Sequence, residues 1–252
     1  MRAFHLASTF ILVILAHALK AQVVNIETVR MQSDTTGWMG SAGAGFSLDK
    51  NTTQIYNLTM EAHLQYKTKK DLWLLLGDNI FLKGGGEKLI SNNFIHLRYN
   101  RKLNSWLRLE AFTQVQSNLV TQIKSRFLTG IGPRVKLIGS KKLKVYVASL
   151  VMYENEKEST KPIITHNDVR SSSYLSITYL PTSTVELTST LFFQPLLKNI
   201  YDNRVFNQTS CRVRASKHFG MYMKWNYLHD RRPAGTAPKT TYNLSTGFDF
   251  QF

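Results

Sequence analysis

Residues 56–66 have the sequence YNLTMEAHLQY, and this stretch decides the fold. Every second residue is apolar, from Tyr56 to Tyr66, and every residue between them is polar. Successive side chains of a β-strand point to opposite faces, so this strand has one apolar and one polar face. An aromatic residue at each end of the apolar face is typical of a strand that crosses a lipid bilayer.

The last eleven residues, YNLSTGFDFQF, repeat the pattern and end on an aromatic residue. Bacterial outer-membrane proteins carry a similar C-terminal signal, through which the barrel-assembly machinery recognises them for insertion. We therefore expect a periplasmic encounter with that machinery. The residues assigned to this insertion signal are Tyr242, Phe248, Phe250 and Phe252.

The same alternation predicts twelve strands, and no helical pattern follows residue 21. The strands are expected at 37–48, 52–68, 71–82, 89–102, 105–116, 123–138, 142–154, 170–180, 184–195, 204–216, 218–228 and 240–252. The connections alternate between tight turns and mostly longer loops, the longest of which are 155–169 and 229–239. Short periplasmic turns and long outer loops are typical of outer-membrane barrels. The prediction is an all-β, transmembrane, antiparallel up-and-down barrel of about 12 strands, within a range of 10 to 14.

A soluble β-sandwich is the competing fold, because its strands alternate in the same way. It gives no reason for the two classes of connection or for the terminal aromatic residue, so the barrel is favoured. Backbone groups in hydrocarbon must be paired within the protein, which requires a closed ring of strands. We therefore expect the last strand to pair with the first, whose glycine-rich segment 37–45 would ease the bend.

The N-terminal residues have the pattern of a secretory signal. Arg2 precedes an apolar stretch from 6 to 15, and small residues lead to a cleavage point after Ala21. The predicted domains are a signal peptide at 1–21, a periplasmic segment at 22–36 and the barrel at 37–252. These features place the protein in the outer membrane of a Gram-negative cell. A single cysteine, Cys211, excludes an internal disulfide.

The formal charge is +16, and removal of Arg2 and Lys20 with the leader leaves +14. Nucleic acid is not an expected partner of an exported chain. Outer-membrane lipid, lipopolysaccharide and small anions are the expected partners of a basic exported surface. The basic residues expected in the outer loops are Lys157, Lys161, Arg231, Arg232 and Lys239.

Charged residues on the polar faces define the candidate lumen. They are Glu61, His63, Arg98, Arg108, Glu110, Lys124, Arg126, Arg134, Glu186, Arg212, Arg214, Lys224 and Asp249. Eight are basic and four acidic, with His63 taken as neutral. A water-filled lumen with this excess would favour anions. Alternatively, arginine and glutamate side chains pair across a narrow interior and plug it. The sequence leaves both interpretations open.

Signatures of catalysis are weak in the sequence. There is no G-x-S-x-G motif, and the run Gly84-Gly85-Gly86 lacks the lysine and hydroxyl residue of a phosphate-binding loop. Metal ligands at close spacing are also absent. We expect no enzyme activity, no metal and no cofactor, and a barrel enzyme remains a minor alternative.

Three segments carry a family resemblance: 94–114, 124–134 with its Lys124-Ser125-Arg126 and Gly130-x-Gly132-x-Arg134 motifs, and 152–156. They resemble domain-of-unknown-function family 481, described as salt-induced outer-membrane proteins. The resemblance implies an outer-membrane barrel and no substrate or catalytic residue. The leader and its Gln22 start also resemble those of Bacteroidetes proteins.

These observations lead to one main functional hypothesis and one alternative. The main hypothesis is a monomeric barrel that acts as a small-solute, anion-favouring channel through an arginine-rich lumen. The alternative is a closed envelope barrel whose basic outer loops bind lipopolysaccharide or another partner.

Overall fold

The structure is a computed structural model that describes residues 36–50, 54–216 and 219–250. It contains twelve strands. Their bounds are β1 Gly37–Lys50, β2 Gln54–Lys67, β3 Asp71–Gly84, β4 Glu87–Lys102, β5 Leu107–Asn118, β6 Ile123–Gly139, β7 Leu143–Glu158, β8 Thr165–Tyr179, β9 Val185–Leu196, β10 Asn199–Arg214, β11 Phe219–Asp230 and β12 Thr240–Phe250. The expected leader and Phe252 lie outside the described residues.

Each strand pairs antiparallel with the next, in the order β1 to β12. This confirms the predicted all-β up-and-down architecture and the twelve strands. The main differences are at strand ends. The expected loop 155–169 is shortened to 159–164, because β7 extends to Glu158 and β8 begins at Thr165. The connection between β9 and β10 contains only residues 197–198.

The two faces of the sheet differ in the way that the alternation predicts. Large apolar side chains such as Ile95, Val151 and Phe193 are exposed on the outer face, as a lipid contact requires. Polar and charged side chains are buried on the inner face. Within the described residues, there is no helix that is long and apolar enough to cross a membrane.

The inner face is more apolar than the alternation indicates. Side chains from β5 to β11 form a packed core inside the barrel. They are Phe112, Leu128, Ala148, Leu150, Met152, Tyr174, Phe192, Phe206 and Leu228. Leu74 and Leu76 of β3 make a second cluster with Phe94. This explains why β3 is apolar on both of its faces.

The described ladders connect neighbours from β1 to β12, and a ladder between β12 and β1 is not among them. Pairing of these two strands therefore stays a prediction. On β1, the side chains described from Ala42 to Lys50 are exposed on both faces. The buried interior thus belongs to the other side of the barrel, chiefly β4 to β10.

Candidate functional site: the charge-paired interior

An ion pair between neighbouring strands lies toward the tight-turn end of the interior. Arg98 of β4 donates through Nη1 to Glu110 of β5, and both side chains are buried. The hydroxyl of Tyr174 donates to the other carboxylate oxygen of Glu110. Tyr174 belongs to β8, so this bond passes over β6 and β7. The bond therefore closes the part of the interior that lies over β6 and β7 at this level.

Two glycines on the inner face of β6 make this approach possible. A Cβ at Gly132 would lie 2.2 Å from the carbonyl oxygen of Ser149 and 2.6 Å from Cα of Leu150. A Cβ at Gly130 would lie 2.7 Å from Cε1 of Phe112. A side chain at Gly132 would meet backbone atoms and one at Gly130 would displace the Phe112 ring, so the two glycines allow neighbouring strands and side chains to approach closely here.

Arg134, two residues farther along β6, is buried between aromatic rings. Its guanidinium carbon lies 4.2 Å from the ring centroid of Tyr146 and 5.9 Å from that of Tyr174. Contacts of this kind between a guanidinium and an aromatic face are favourable, more so where water is excluded. The Gly130-x-Gly132-x-Arg134 motif therefore shapes the narrow part of the interior.

A larger network lies nearer the long loops, and Arg204 of β10 is its centre. Its Nε lies 2.7 Å from Oδ2 of Asp230 on β11. Its two terminal nitrogens reach β7, at 2.5 Å from Oε1 of Glu154 and 3.2 Å from Oε2 of Glu156. Because β8 and β9 separate β10 from β7 in the sheet, Arg204 bridges part of the interior.

Two further arginines complete the bonding of Glu154. Nε of Arg126 lies 2.9 Å from Oε1 of Glu154, and Arg126 also pairs with Glu156. Nε of Arg170 lies 2.6 Å from Oε2 of Glu154, and its Nη1 lies 3.0 Å from Oδ1 of Asp202. A buried ion pair is tolerated only when the remaining donors and acceptors are also satisfied, and this network meets that condition for Glu154.

The buried charges of the described interior are not predominantly basic. The buried arginines are Arg98, Arg126, Arg134, Arg170 and Arg204. The buried acidic residues are Glu110, Glu154, Glu156, Glu158, Asp168, Asp202 and Asp230. Five positive and seven negative groups give this region no excess of positive charge.

The loop between β11 and β12 crosses the adjoining end of the barrel. The N–H of Gly235 donates to Oε2 of Glu158 at 3.1 Å, and the N–H of Thr236 donates to Oε1 of Gln122 at 3.1 Å. Nε2 of Gln122 donates back to the hydroxyl of Thr236 at 2.7 Å. Four strands lie between β6 and β11, so residues 231–239 cover the mouth above the Arg204 network.

His96 has a structural environment within this interior. Its ring stacks between Phe94 and Phe112, with centroids 5.9 Å and 5.5 Å away. Nδ1 lies 2.9 Å from Oε1 of Gln114, and Nε2 accepts from Nε of Arg98 at 3.1 Å. A small cavity lies beside it. In the described ranges no three His, Cys, Asp or Glu side chains form a group that could hold a metal ion.

The candidate lumen residues occupy different environments. The buried ones are His63, Arg98, Glu110, Arg126 and Arg134. The half-buried ones are Arg108, Glu186, Arg212 and Lys224. The exposed ones are Glu61, Lys124 and Arg214. The side chains of Asp249, Phe248 and Phe250 are not described, and Tyr242 is exposed on β12.

Lys124 differs from the prediction in the face that it occupies. The register of β6 shifts between Ile123 and Ser125, where an additional residue interrupts the alternation. Ile123 is consequently buried opposite Glu158, while Lys124 is exposed. Strict alternation along β6 would place Lys124 on the inner face. The bulge instead turns the Lys124 side chain away from the interior.

The strongest part of the network is absent from the predicted set. The candidate lumen set does not contain Glu154, Glu156, Arg170 and Arg204, because the predicted strands are shorter at this side of the sheet than the observed ones. Glu156 fell in an expected loop, and Arg170 and Arg204 fell at the first positions of their strands. The signal was available in the sequence, because Glu154, Glu156 and Glu158 continue the alternation of β7.

The model of the family described as "Protein of unknown function, DUF481" matches residues 42–252. The chain belongs to this family. The match confirms the family resemblance of segments 94–114, 124–134 and 152–156. A comparison with curated proteins gave no match.

Several solved structures are similar to this chain at low sequence identity. The NanC porin has a TM-score of 0.54 and 10% identity, with 84% of this chain and 99% of that chain covered. The CymD monoaromatic hydrocarbon channel has a TM-score of 0.45 and 12% identity, over 86% and 80% of the two chains. The translocator domain of the autotransporter NalP from Neisseria meningitidis has a TM-score of 0.47 and 9% identity, over 100% and 97%. The likeness to the porin shows that the fold is that of an outer-membrane β-barrel.

Proposed function

We propose that this chain is a non-enzymatic barrel of the Gram-negative outer membrane, closed across β4 to β10 in the conformation described. The observation that carries the proposal is Arg204, which joins carboxylates on β7 and β11 above a packed apolar core. Loop 231–239 covers the same end. The proposal favours the alternative sequence hypothesis, a closed envelope barrel, over an anion-favouring channel.

The charge balance supports this choice. An anion-selective lumen needs unpaired positive groups along the route of the ion. Arg98, Arg126, Arg170 and Arg204 instead all bond carboxylates. The exposed basic residues of the long-loop end, among them Lys157, Lys161 and Arg231, remain available to lipopolysaccharide phosphates.

Planar-bilayer recording of purified, folded protein tests the closed state. We expect the native protein to show no steady conductance. Arg204→Ala removes the bridge from β10 to β7 and leaves Asp230 without its arginine partner, which should give cation-selective openings. Loss of one partner of a buried ion pair costs about 3–5 kcal/mol. Arg232→Ala is the matched control, because Arg232 is an exposed arginine near the same mouth.

If Arg204→Ala does not fold, Glu154→Gln serves in its place. This substitution removes the negative charge that Arg126, Arg170 and Arg204 share, and the same recording applies to it. A steady anion-selective current through the native protein would contradict the proposal. It would favour the anion channel instead.

A second candidate function is a small-solute channel along the β1–β2 side, and one observation favours it. Ser47, Asp49 and Glu61 share the inner parity, and all three are exposed to solvent. The porin named above has the same fold. If solute passes here, Glu61→Arg should shift the reversal potential toward anions, whereas Glu87→Arg at the exposed start of β4 should change it little.

A further inference from the structure

Three tight turns at the end of the barrel opposite the Arg204 network have a pair of basic residues in the turn or directly before it. The β2–β3 turn has Lys69 and Lys70, and the β6–β7 turn has Lys141 and Lys142. The β4–β5 turn follows directly on Arg101 and Lys102. All six side chains are exposed. We call this group the dibasic rim.

The fold places like charges of this rim next to each other. The N–H of Lys102 donates to the carbonyl oxygen of Lys70 at 2.7 Å, so the first two turns are in backbone contact. Arg101 has an acidic partner, Asp71, at 3.3 Å. Within the described part of the chain, the five lysines of the rim have no ion pair. Mutual repulsion of these lysines favours the approach of an anion.

The other surface charges are distributed differently. At the long-loop end, Lys198 pairs with Asp168 at 2.8 Å, and Arg232 lies 3.9 Å from Asp202. The tight turn between β8 and β9, residues 180–184, has no charged residue. Among the tight turns, pairs of basic residues therefore lie between β2 and β7.

Exposed apolar side chains fix the depth of the rim relative to a bilayer. Trp73 packs against Tyr99 on the outer face, with ring centroids 4.4 Å apart. Trp106, Leu103 and Leu137 are each more than half exposed in or beside the same turns. Tryptophan and tyrosine are enriched at the membrane–water interface. Lysines immediately beyond these rings lie at the level of lipid headgroups.

We propose that the dibasic rim binds the phosphates of anionic phospholipids in the periplasmic leaflet of the outer membrane. The inference rests on the membrane location in the proposed function and on short turns facing the periplasm. Clusters of lysine and arginine beside a membrane-spanning segment attract anionic lipid. A headgroup phosphate above the Trp73–Tyr99 pair would offset the repulsion between Lys70 and Lys102.

Native mass spectrometry of the full mature protein in detergent, with equal amounts of phosphatidylglycerol and phosphatidylcholine, tests the proposal. We expect the native protein to retain phosphatidylglycerol preferentially. Replacement of Lys69, Lys70, Lys102, Lys141 and Lys142 by glutamine should lower the bound ratio by about tenfold, since each basic residue near an anionic surface contributes measurably. Arg101 is left in place to keep its pair with Asp71.

The control replaces five exposed lysines elsewhere, which are Lys88, Lys124, Lys157, Lys161 and Lys239. It removes the same charge and should leave the phosphatidylglycerol preference unchanged. An equal loss in the control, or no preference in the native protein, would overturn the proposal. Loss of added lipopolysaccharide, with phosphatidylglycerol retained, in the variant that lacks the five rim lysines would overturn it as well.

Heat-modifiable gel migration establishes that each variant is folded, and Lys141→Gln with Lys142→Gln serves if the fivefold variant does not fold. The same samples recorded in planar bilayers separate this inference from the proposed function. A conducting native protein that keeps its lipid preference would contradict only the closed barrel.

Discussion

At the residue scale, Gly132 shows what alternation can and cannot predict. The sequence places Glu110, Gly132 and Arg134 on one face, and the structure buries all three there. Alternation gives the face of a side chain but not its distance from strands that are not neighbours. The contact of Glu110 with Tyr174, across β6 and β7, therefore could not be predicted from the sequence.

Gly132→Ala is expected to destabilise the barrel strongly. The new Cβ would meet backbone atoms of Ser149 and Leu150, which cannot turn aside as a flexible side chain can. Overpacking of this kind costs about 1–3 kcal/mol and sometimes more. Urea unfolding followed by heat-modifiable migration measures the loss. Gly77→Ala is the control, because its Cβ would lie 4.0 Å from its nearest neighbour, the carbonyl oxygen of Phe94.

Tyr174→Phe is expected to cost about 1.5–3 kcal/mol, the range for a hydrogen bond to a charged group. The substitution removes the hydroxyl that donates to the buried Glu110 carboxylate while keeping the ring that packs on Phe192. The same unfolding measurement applies. Tyr179→Phe, at an exposed position on the same strand, should change stability little. Equal effects of the two substitutions would argue against a structural role for the Tyr174 hydroxyl.

At the element scale, all twelve strands were predictable, whereas the ends at the long-loop side were not. Glu154, Glu156 and Glu158 resemble a polar loop when strands are expected to end at the lipid boundary. They lie instead on β7, which continues to Glu158, and arginines of other strands bond the carboxylates of Glu154 and Glu156. The loop that covers these residues has no sequence signature, since its contacts with Gln122 and Glu158 are long-range.

Gly235→Ala is expected to release loop 231–239 from the mouth. Gly235 has a φ of +51°, and an added Cβ would lie 2.1 Å from Oε1 of Gln122. A side chain at such a backbone position costs about 1 kcal/mol or more, which is roughly a fivefold change in an opening equilibrium. Hydrogen-exchange mass spectrometry of a peptide containing Thr236 should show correspondingly faster exchange.

Gly86→Ala is the matched control for the loop, since Gly86 also has a positive φ, +87°, but nothing within 4 Å of the added Cβ. It should leave exchange at Thr236 unchanged. If the two substitutions accelerate exchange equally, the docking contact with Gln122 does not hold the loop.

At the scale of the whole molecule, the prediction that remains open is closure of the ring. Edge strands in hydrocarbon would leave unpaired N–H and C=O groups, so a spanning sheet must close. Spin labels at Ala44 of β1 and Leu244 of β12, in a Cys211→Ser background, test this by EPR distance measurement. In a closed barrel the two backbones lie within about 10 Å, two strand spacings. The label pair at Ala42 and Ala62, which face each other across the β1–β2 ladder, gives the reference distance. A separation between Ala44 and Leu244 much longer than this reference, in protein that is folded in a bilayer, would show an open sheet.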